Sequence, residues 1–320
     1  MEGQILLYFL KIFNKVFFAF LIFIIIFSYY VLNKNTFKDF DLLTIRKGEN
    51  IENVIKKHLI NINVFELLIF KTYFYFKYII YKEPIHYGDF ELSNERSFID
   101  LINIITKPSN VLNKVTVVEG WSISELNNEM SKHFKNYKSI EYDSILADTY
   151  YFNKTETFEK FFNRIKSFKI DYLEKNKDNI FFEKYSIKEL IIIGSLLEKE
   201  GLDYLDKSKI SSVILNRLDK NMRLEIDATV IFSLTNGKYN LNRKLTYKDL
   251  KIEHPYNTYK NFGLPPKPIS YVGTKTIDII LENYKSNYLF YFFDSTLNKH
   301  IFSENYEIHK KRLNEYRNKK

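Results

Sequence analysis

Between Val16 and Asn33 the chain carries no charged residue, in the run "KVFFAFLIFIIIFSYYVLNKN". As a helix this segment would be about 27 Å long at ~1.5 Å per residue, close to the ~30 Å hydrocarbon thickness of a bilayer. Nothing polar interrupts it, which argues against a buried helix of a soluble fold. Lys11 and Lys15 precede it, and Tyr29 and Tyr30 stand where an interfacial aromatic belt would lie. Lys34 and Lys38 follow, but Asp39 and Asp41 come soon after, so the charge bias for an inside amino terminus is slight. A cleavable signal peptide would need a small-x-small site, and Ser28-Tyr29-Tyr30 does not supply one. The expectation is a cytoplasmic stretch over residues 1–15, a single transmembrane anchor over 16–33, and everything after about residue 34 on the far side. No second span is expected. "FELLIF" (65–70) is too short, and "YFYFKYIIY" (73–81) contains Lys77 and reads as a buried or half-buried element.

The net charge is +9. A nucleic-acid protein would gather its cations on one face. Here they are dispersed, with only short pairs such as Lys310-Lys311 and Lys319-Lys320, so a solvated lysine-rich surface is expected and no nucleic-acid partner. Cysteine is absent, which removes disulfides and thiolate chemistry. The six histidines form no pair at metal-ligand spacing, so neither a metal nor another cofactor is expected.

At 320 residues the chain has room for two domains. "LTIRKGENIENVIKKHL" (43–59) and "VTVVEGWSISELNNEMSKHF" (115–134) share one plan: an alternating strand, a Lys-Gly or Glu-Gly turn, then an amphipathic helix. Such units occur in small LysM-like, peptidoglycan-binding modules, and any βα unit has the same outline. From Tyr150 to about Lys220 the pattern is helical. "DATVIFSL" fits helix or strand. A short helix near 275–282, two strand-like runs "YLFYFFD" and "HIFS", and a charged helix over 306–317 complete the chain. The fold class expected is α+β: an amino-terminal transmembrane helix, a small LysM-like βα module over 34–110, and a helix-rich catalytic domain with short strands over 111–320.

One helix stands out. In "SIKELIIIGSLLEKEG" (186–201), Ser186 and Glu189 form a capping box. The helix is apolar most of the way round, so it should be central. It ends in two carboxylates. Glu198 stacks above Ser195, Gly194 and Ile191, a notch of small residues. A carboxyl half-withdrawn from water has its pKa raised, as a general acid requires. The alternative is a solvated last turn with an incidental charge cluster.

"LLEKE", "VILNRLDKNMRLEIDATVIFSL", "YNTYKNFGLPPKPIS" and "FDSTLNKHIFSENYEIHKKRL" follow in this order. Together with "VTVVEGWSISEL", "ADTYYF" (147–152) and the amino-terminal run, they resemble the endolytic murein transglycosylase (MltG/YceG-like) family over nearly the whole chain. The resemblance implies a single-pass protein of the inner (cytoplasmic) membrane with a periplasmic catalytic part. Such enzymes cut nascent peptidoglycan glycan strands between MurNAc and GlcNAc, leave 1,6-anhydroMurNAc ends and terminate elongation. It places the catalytic acid at Glu198. One acid suffices for such a reaction, whereas hydrolytic glycosidases use two carboxylates. Cell-wall synthases (penicillin-binding proteins) are possible partners, and a catalytically weak peptidoglycan-binding scaffold for them is the alternative function.

Other motif positions leave two roles open. Asn216 can bridge helix to a sugar amide or cap a local turn. Asp227 can orient a site group or cap the next helix. Tyr256, Asn257, Thr258 and Tyr259 suit sugar binding, or organise their turn. Glu200 fits a substrate contact or a salt bridge. Three positions depart from the family pattern. Glu225 replaces Gln and would either raise the pKa of Glu198 further or bind a different part of the substrate, Ala228 replaces Pro, and Gly201 replaces Thr.

Overall fold

The computed structural model describes residues 2–35, 42–46, 48–59, 62–91, 97–109, 111–154 and 156–318. Lys38, Asp39, Asp41, Lys47, Lys319 and Lys320, used above, lie outside the described residues. The chain divides into two compact units. One comprises Met1–Asn113 with Phe152–Glu156, the other Lys114–Tyr151 with Thr157–Lys320.

The first unit opens with α1 (Glu2–Asn33). This helix begins well before the uncharged run and includes Lys11 and Lys15, because nothing in residues 2–15 breaks a helix. Its segment Leu10–Asn33 is long and apolar enough to cross a membrane. Strand β1 (Leu42–Ile45) pairs antiparallel with β2 (Gly88–Glu91), Leu43 opposite Phe90 and Ile45 opposite Gly88. Helices α2 (Ile51–His58) and α3 (Val64–Tyr81) lie between them in sequence, and α4 (Phe98–Ile105) follows. Leu43, Val54, Ile55, Phe70, Phe90, Phe98 and Leu101 form a core that also takes in Val31 and Leu32 at the end of α1. Phe70 and Phe98 stack at 4.2 Å. The aromatic stretch over 73–81 is not buried as expected. It continues the preceding apolar patch as one helix, in which Glu66, Phe70 and Phe74 are buried and Leu67, Ile69 and Tyr73 pack partly buried against the core.

The second unit takes in all but the end residues Asn113 and Phe152 of the paired strands β3 (Asn113–Thr116) and β4 (Thr149–Phe152), and α5 (Ile123–His133) lies between them in sequence. Tyr150–Phe152 is thus strand rather than the start of the helical region, which begins with α6 (Phe158–Glu174). Then come α7 (Ile187–Glu200), α8 (Tyr204–Asp219), α9 (Asp227–Thr235) and α10 (Thr274–Leu281). The hairpin of β5 (Phe290–Asp294) and β6 (Lys299–Ser303) follows, and α11 (Tyr306–Asn318) is last.

Helix α7 is the axis of this unit. The capping box starts it: Glu189 N–H donates to Ser186 Oγ at 3.3 Å, and Ser186 N–H to Glu189 Oε2 at 2.7 Å. Every residue from Leu190 to Leu197 is buried, packed with side chains of α8 and α10. Each buried Leu or Ile contributes about 1.5–3 kcal/mol, so the all-round apolar pattern is satisfied by burial on all sides.

Candidate active site

The notch beneath Glu198 is filled by the chain's own backbone. The segment 269–273 runs against it. Ile269 N–H donates to Ser195 Oγ at 3.1 Å, and Ser270 Oγ donates to the Ser195 carbonyl at 3.0 Å. A Cβ on Gly194 would lie 2.5 Å from Val272 Cγ1, so that glycine admits Val272 rather than a ligand. Glu198 itself is enclosed, its side chain 2% exposed, and Lys207 Nζ lies 2.5 Å from Oε2. Its other oxygen accepts from Gly273 N–H at 3.0 Å. Lys207 also donates to Thr276 Oγ1 at 2.9 Å. Gly201 belongs to the same arrangement, because a Cβ there would meet Lys207 Cγ at 2.2 Å.

Glu200 faces the other way. It lines a cavity of about 480 Å³ with Arg217, Glu225, Asp227, Tyr259, Tyr291 and His300. Phenylalanines 290, 292 and 293 supply apolar wall. Tyr291 Oη donates to Glu200 Oε2 at 3.2 Å. Burial pushes the Glu200 carboxyl upward, and repulsion from Asp227 adds to it. The Tyr291 hydroxyl, His300 and the Ala228 backbone N–H oppose that rise without cancelling it. Burial, then the Glu200 carboxyl, pushes the Tyr291 phenol well above its ordinary range, so Tyr291 stays a donor. His300 Nδ1 is 2.8 Å from Asp206 Oδ2, which fixes its ring.

The remaining predicted residues separate into two groups. Asp227 is the first residue of α9 and makes no side-chain cap; its Oδ1 accepts from Tyr259 Oη at 2.7 Å. Both line the cavity. Asn216, Asn257, Thr258 and Tyr256 are not among its lining residues. Asn216 Nδ2 donates to the carbonyls of Ser286 at 2.8 Å and Tyr288 at 3.0 Å, tying α8 to the start of the hairpin. Asn257 is fully buried and donates to the carbonyls of Leu250 at 3.1 Å and Ile252 at 2.8 Å. Thr258 Oγ1 accepts from Ile226 N–H at 3.0 Å. Tyr256 packs on Phe232, ring centroids 4.6 Å apart. Asn257 and Thr258 therefore organise the turn that delivers Tyr259.

Glu225 does not approach Glu198 as expected. It lies on the Glu200 cavity, 3.2 Å from Arg217 Nη1, with φ of 52°, a conformation that costs a non-glycine residue about 1–2 kcal/mol. Sequence reasoning missed Tyr291, His300 and Arg217. The aromatic run "YLFYFFD" reads as a strand, but only its pairing and docking bring Tyr291 to α7.

The fold and site define an α+β protein with an apolar amino-terminal helix and a candidate site built on one buried carboxyl over an aromatic cavity. The chain belongs to the YceG-like family, whose model matches residues 43–315. It is similar to the endolytic murein transglycosylase of Bacillus subtilis, with 34% identity over 183 residues, 57% of this chain and 49% of the relative. It is also similar to the protein of that name from Streptococcus pneumoniae, with 30% identity over 175 residues, 54% of this chain and 31% of the relative. The chain thus covers half or less of the length of these curated relatives. A crystal structure of a YceG-like protein from Listeria monocytogenes superposes with a TM-score of 0.54 at 26% identity, covering 84% of this chain and 98% of that one.

Proposed function

We propose that this chain is an endolytic peptidoglycan lytic transglycosylase that cuts glycan strands between MurNAc and GlcNAc, with Glu200 as its acid. The observation that carries this is the Glu200 carboxyl, raised by burial and by Asp227, opening into a cavity lined by Tyr259 and Tyr291. Glu198, the acid implied by the resemblance, has both oxygens taken by Lys207 and Gly273 and does not line that cavity.

The chemistry balances with one residue. Protonated Glu200 gives its proton to the bridging oxygen as the C1–O bond breaks, and the electron pair leaves with that oxygen. The anomeric carbon becomes positive. The C6 hydroxyl of the same MurNAc adds to C1 and passes its proton to the Glu200 carboxylate. The acid is regenerated, a 1,6-anhydro ring forms, and no water is consumed. The Asp227 carboxylate keeps Glu200 protonated and favours positive charge nearby. Tyr259 and Tyr291, with the phenylalanines, offer ring faces to sugars.

In this reading α1 anchors the protein in the cytoplasmic membrane as a single pass, with the chain after about residue 34 on the periplasmic side. Residues 34–110 bind peptidoglycan as a LysM-like module. The strand–helix–helix–strand order over 42–91, closed by the antiparallel β1–β2 pair, supports that role. Termination of glycan elongation beside cell-wall synthases follows from the same reading.

The test is to incubate the full-length protein, in lipid, with uncrosslinked glycan strands and to look by mass spectrometry for new 1,6-anhydroMurNAc ends. Wild type should produce them and Glu200→Gln should not. Strands bound and left uncut by a folded wild type would point to a wall-binding scaffold instead.

A further inference from the structure

We propose that the outer face of α3 lies in the membrane–water interface, a second lipid contact beside α1. This rests on the reading of α1 as a bilayer span.

Helix α3 is amphipathic in the inverted sense. Its three charged side chains all turn to partners within the first unit. Glu66 pairs with Lys34 at 3.1 Å, Lys71 with Glu52 at 2.8 Å, and Lys77 with Glu83 at 3.5 Å and Asn103 Oδ1 at 2.8 Å. The opposite face is apolar and open. Phe65, Leu68, Tyr75, Phe76 and Ile79 are 74%, 62%, 49%, 55% and 70% exposed. Their spacing of three, seven, one and three residues, with Thr72 in the gap, follows one helix face. A water-soluble surface rarely carries a contiguous apolar patch of this extent.

The neighbouring helix identifies what covers it. Val31 and Leu32 at the end of α1 are buried in the same cluster as Phe70 and Phe74 of α3. Lys34, one residue past α1, makes the ion pair with Glu66 in the first turn of α3. The start of α3 is thus tied to the point where the apolar α1 ends, at the level where headgroups begin. Tyr75, on that face, has an apolar ring and a polar tip that suit this depth. Two lipid contacts would fix the orientation of the first unit, which a lone spanning helix leaves free to rotate.

The chain has no cysteine, so single labels can be placed cleanly. Leu68→Cys, Phe76→Cys, Ile79→Cys and, within α1, Ile24→Cys are each labelled with nitrobenzoxadiazole in the full chain. Each protein is reconstituted in phosphatidylcholine–phosphatidylglycerol vesicles that carry nitroxide lipids, shallow or deep. The α3 labels should lose about half their emission with shallow nitroxides and less with deep ones, as for an interfacial helix, while Ile24 shows the reverse. Quenching at Ile24 without quenching on α3 overturns the proposal and leaves the anchor standing. No quenching at Ile24 overturns the anchor, and the α3 proposal falls with it. Shielding of the α3 labels that vanishes when protein is diluted in lipid would make the occupant a second copy of this chain, and would also overturn the proposal.

Discussion

Tyr291 of β5 donates its hydroxyl to Glu200 at the end of α7, 3.2 Å away, and this contact joins the carboxy-terminal hairpin to the central helix. Two residues along a helix turn by about 200°, so Glu198 and Glu200 cannot share a face. One meets Lys207 and a backbone N–H; the other meets a tyrosine and a cavity. The same short motif thus places one carboxyl in an enclosed ion pair and the other on a cavity.

The two glutamates should respond differently to the same change. Glu200→Gln should fold normally and produce no anhydro ends. Glu198→Gln should leave Lys207 buried against a neutral amide and lower stability by about 3–5 kcal/mol, the cost of breaking a buried pair. It should still cut strands at temperatures where it is folded. Thermal unfolding beside the mass-spectrometric assay separates the two. A stable, inactive Glu198→Gln with an active Glu200→Gln would reverse the assignment.

The pH profile carries the sign of the Glu200 shift. Its carboxyl is raised above 4.5 by burial, then by Asp227, and it must be protonated to act. Activity should fall as pH rises through that raised value. Asp227→Asn removes the repulsion and should move this limb to lower pH. Tyr291→Phe removes a donor to the carboxylate and should move it to higher pH. The same shift affects stability. The contribution of Glu200 is full below its unfolded value near 4.5 and is lost as pH rises through the folded one. A limb unmoved by either variant would dissociate it from Glu200.

Ala228 offers a finer probe. Its backbone N–H favours the charged form of the Glu200 carboxyl and opposes the rise in pKa. Proline is tolerated in the first turn of a helix but has no N–H. Ala228→Pro should therefore shift the alkaline limb upward. A downward shift would mean that the amide does not stabilise the charged form.

Gly194→Ala tests the packing of α7 on the 269–273 segment. The new Cβ would lie 2.5 Å from Val272 Cγ1, and overpacking of this kind costs about 1–3 kcal/mol. A drop in the unfolding midpoint in urea at unchanged slope would record it. An unchanged midpoint would show that Val272 moves aside freely.

Local rules determined much of this protein from sequence alone. The uncharged run had to become a long helix, because its residues offer no break. Ser186 and Glu189 set where α7 starts, and its all-round apolar pattern required it to be central. The aromatic and β-branched runs over 290–294 and 299–303 read as the hairpin strands. The tertiary structure decided which glutamate faces the cavity. Helical spacing reveals what lies beneath Glu198, but not that Val272 fills the notch or that Lys207, nine residues on, takes the carboxylate. The partners of Glu200 come from α9 and β5, 27 or more residues away along the chain. Likewise the sequence shows α3 to be apolar, and only its ion pairs reveal that the apolar side is the outer one. Spacing along a chain encodes faces of one element; which face meets which neighbour is settled by packing of all of them together.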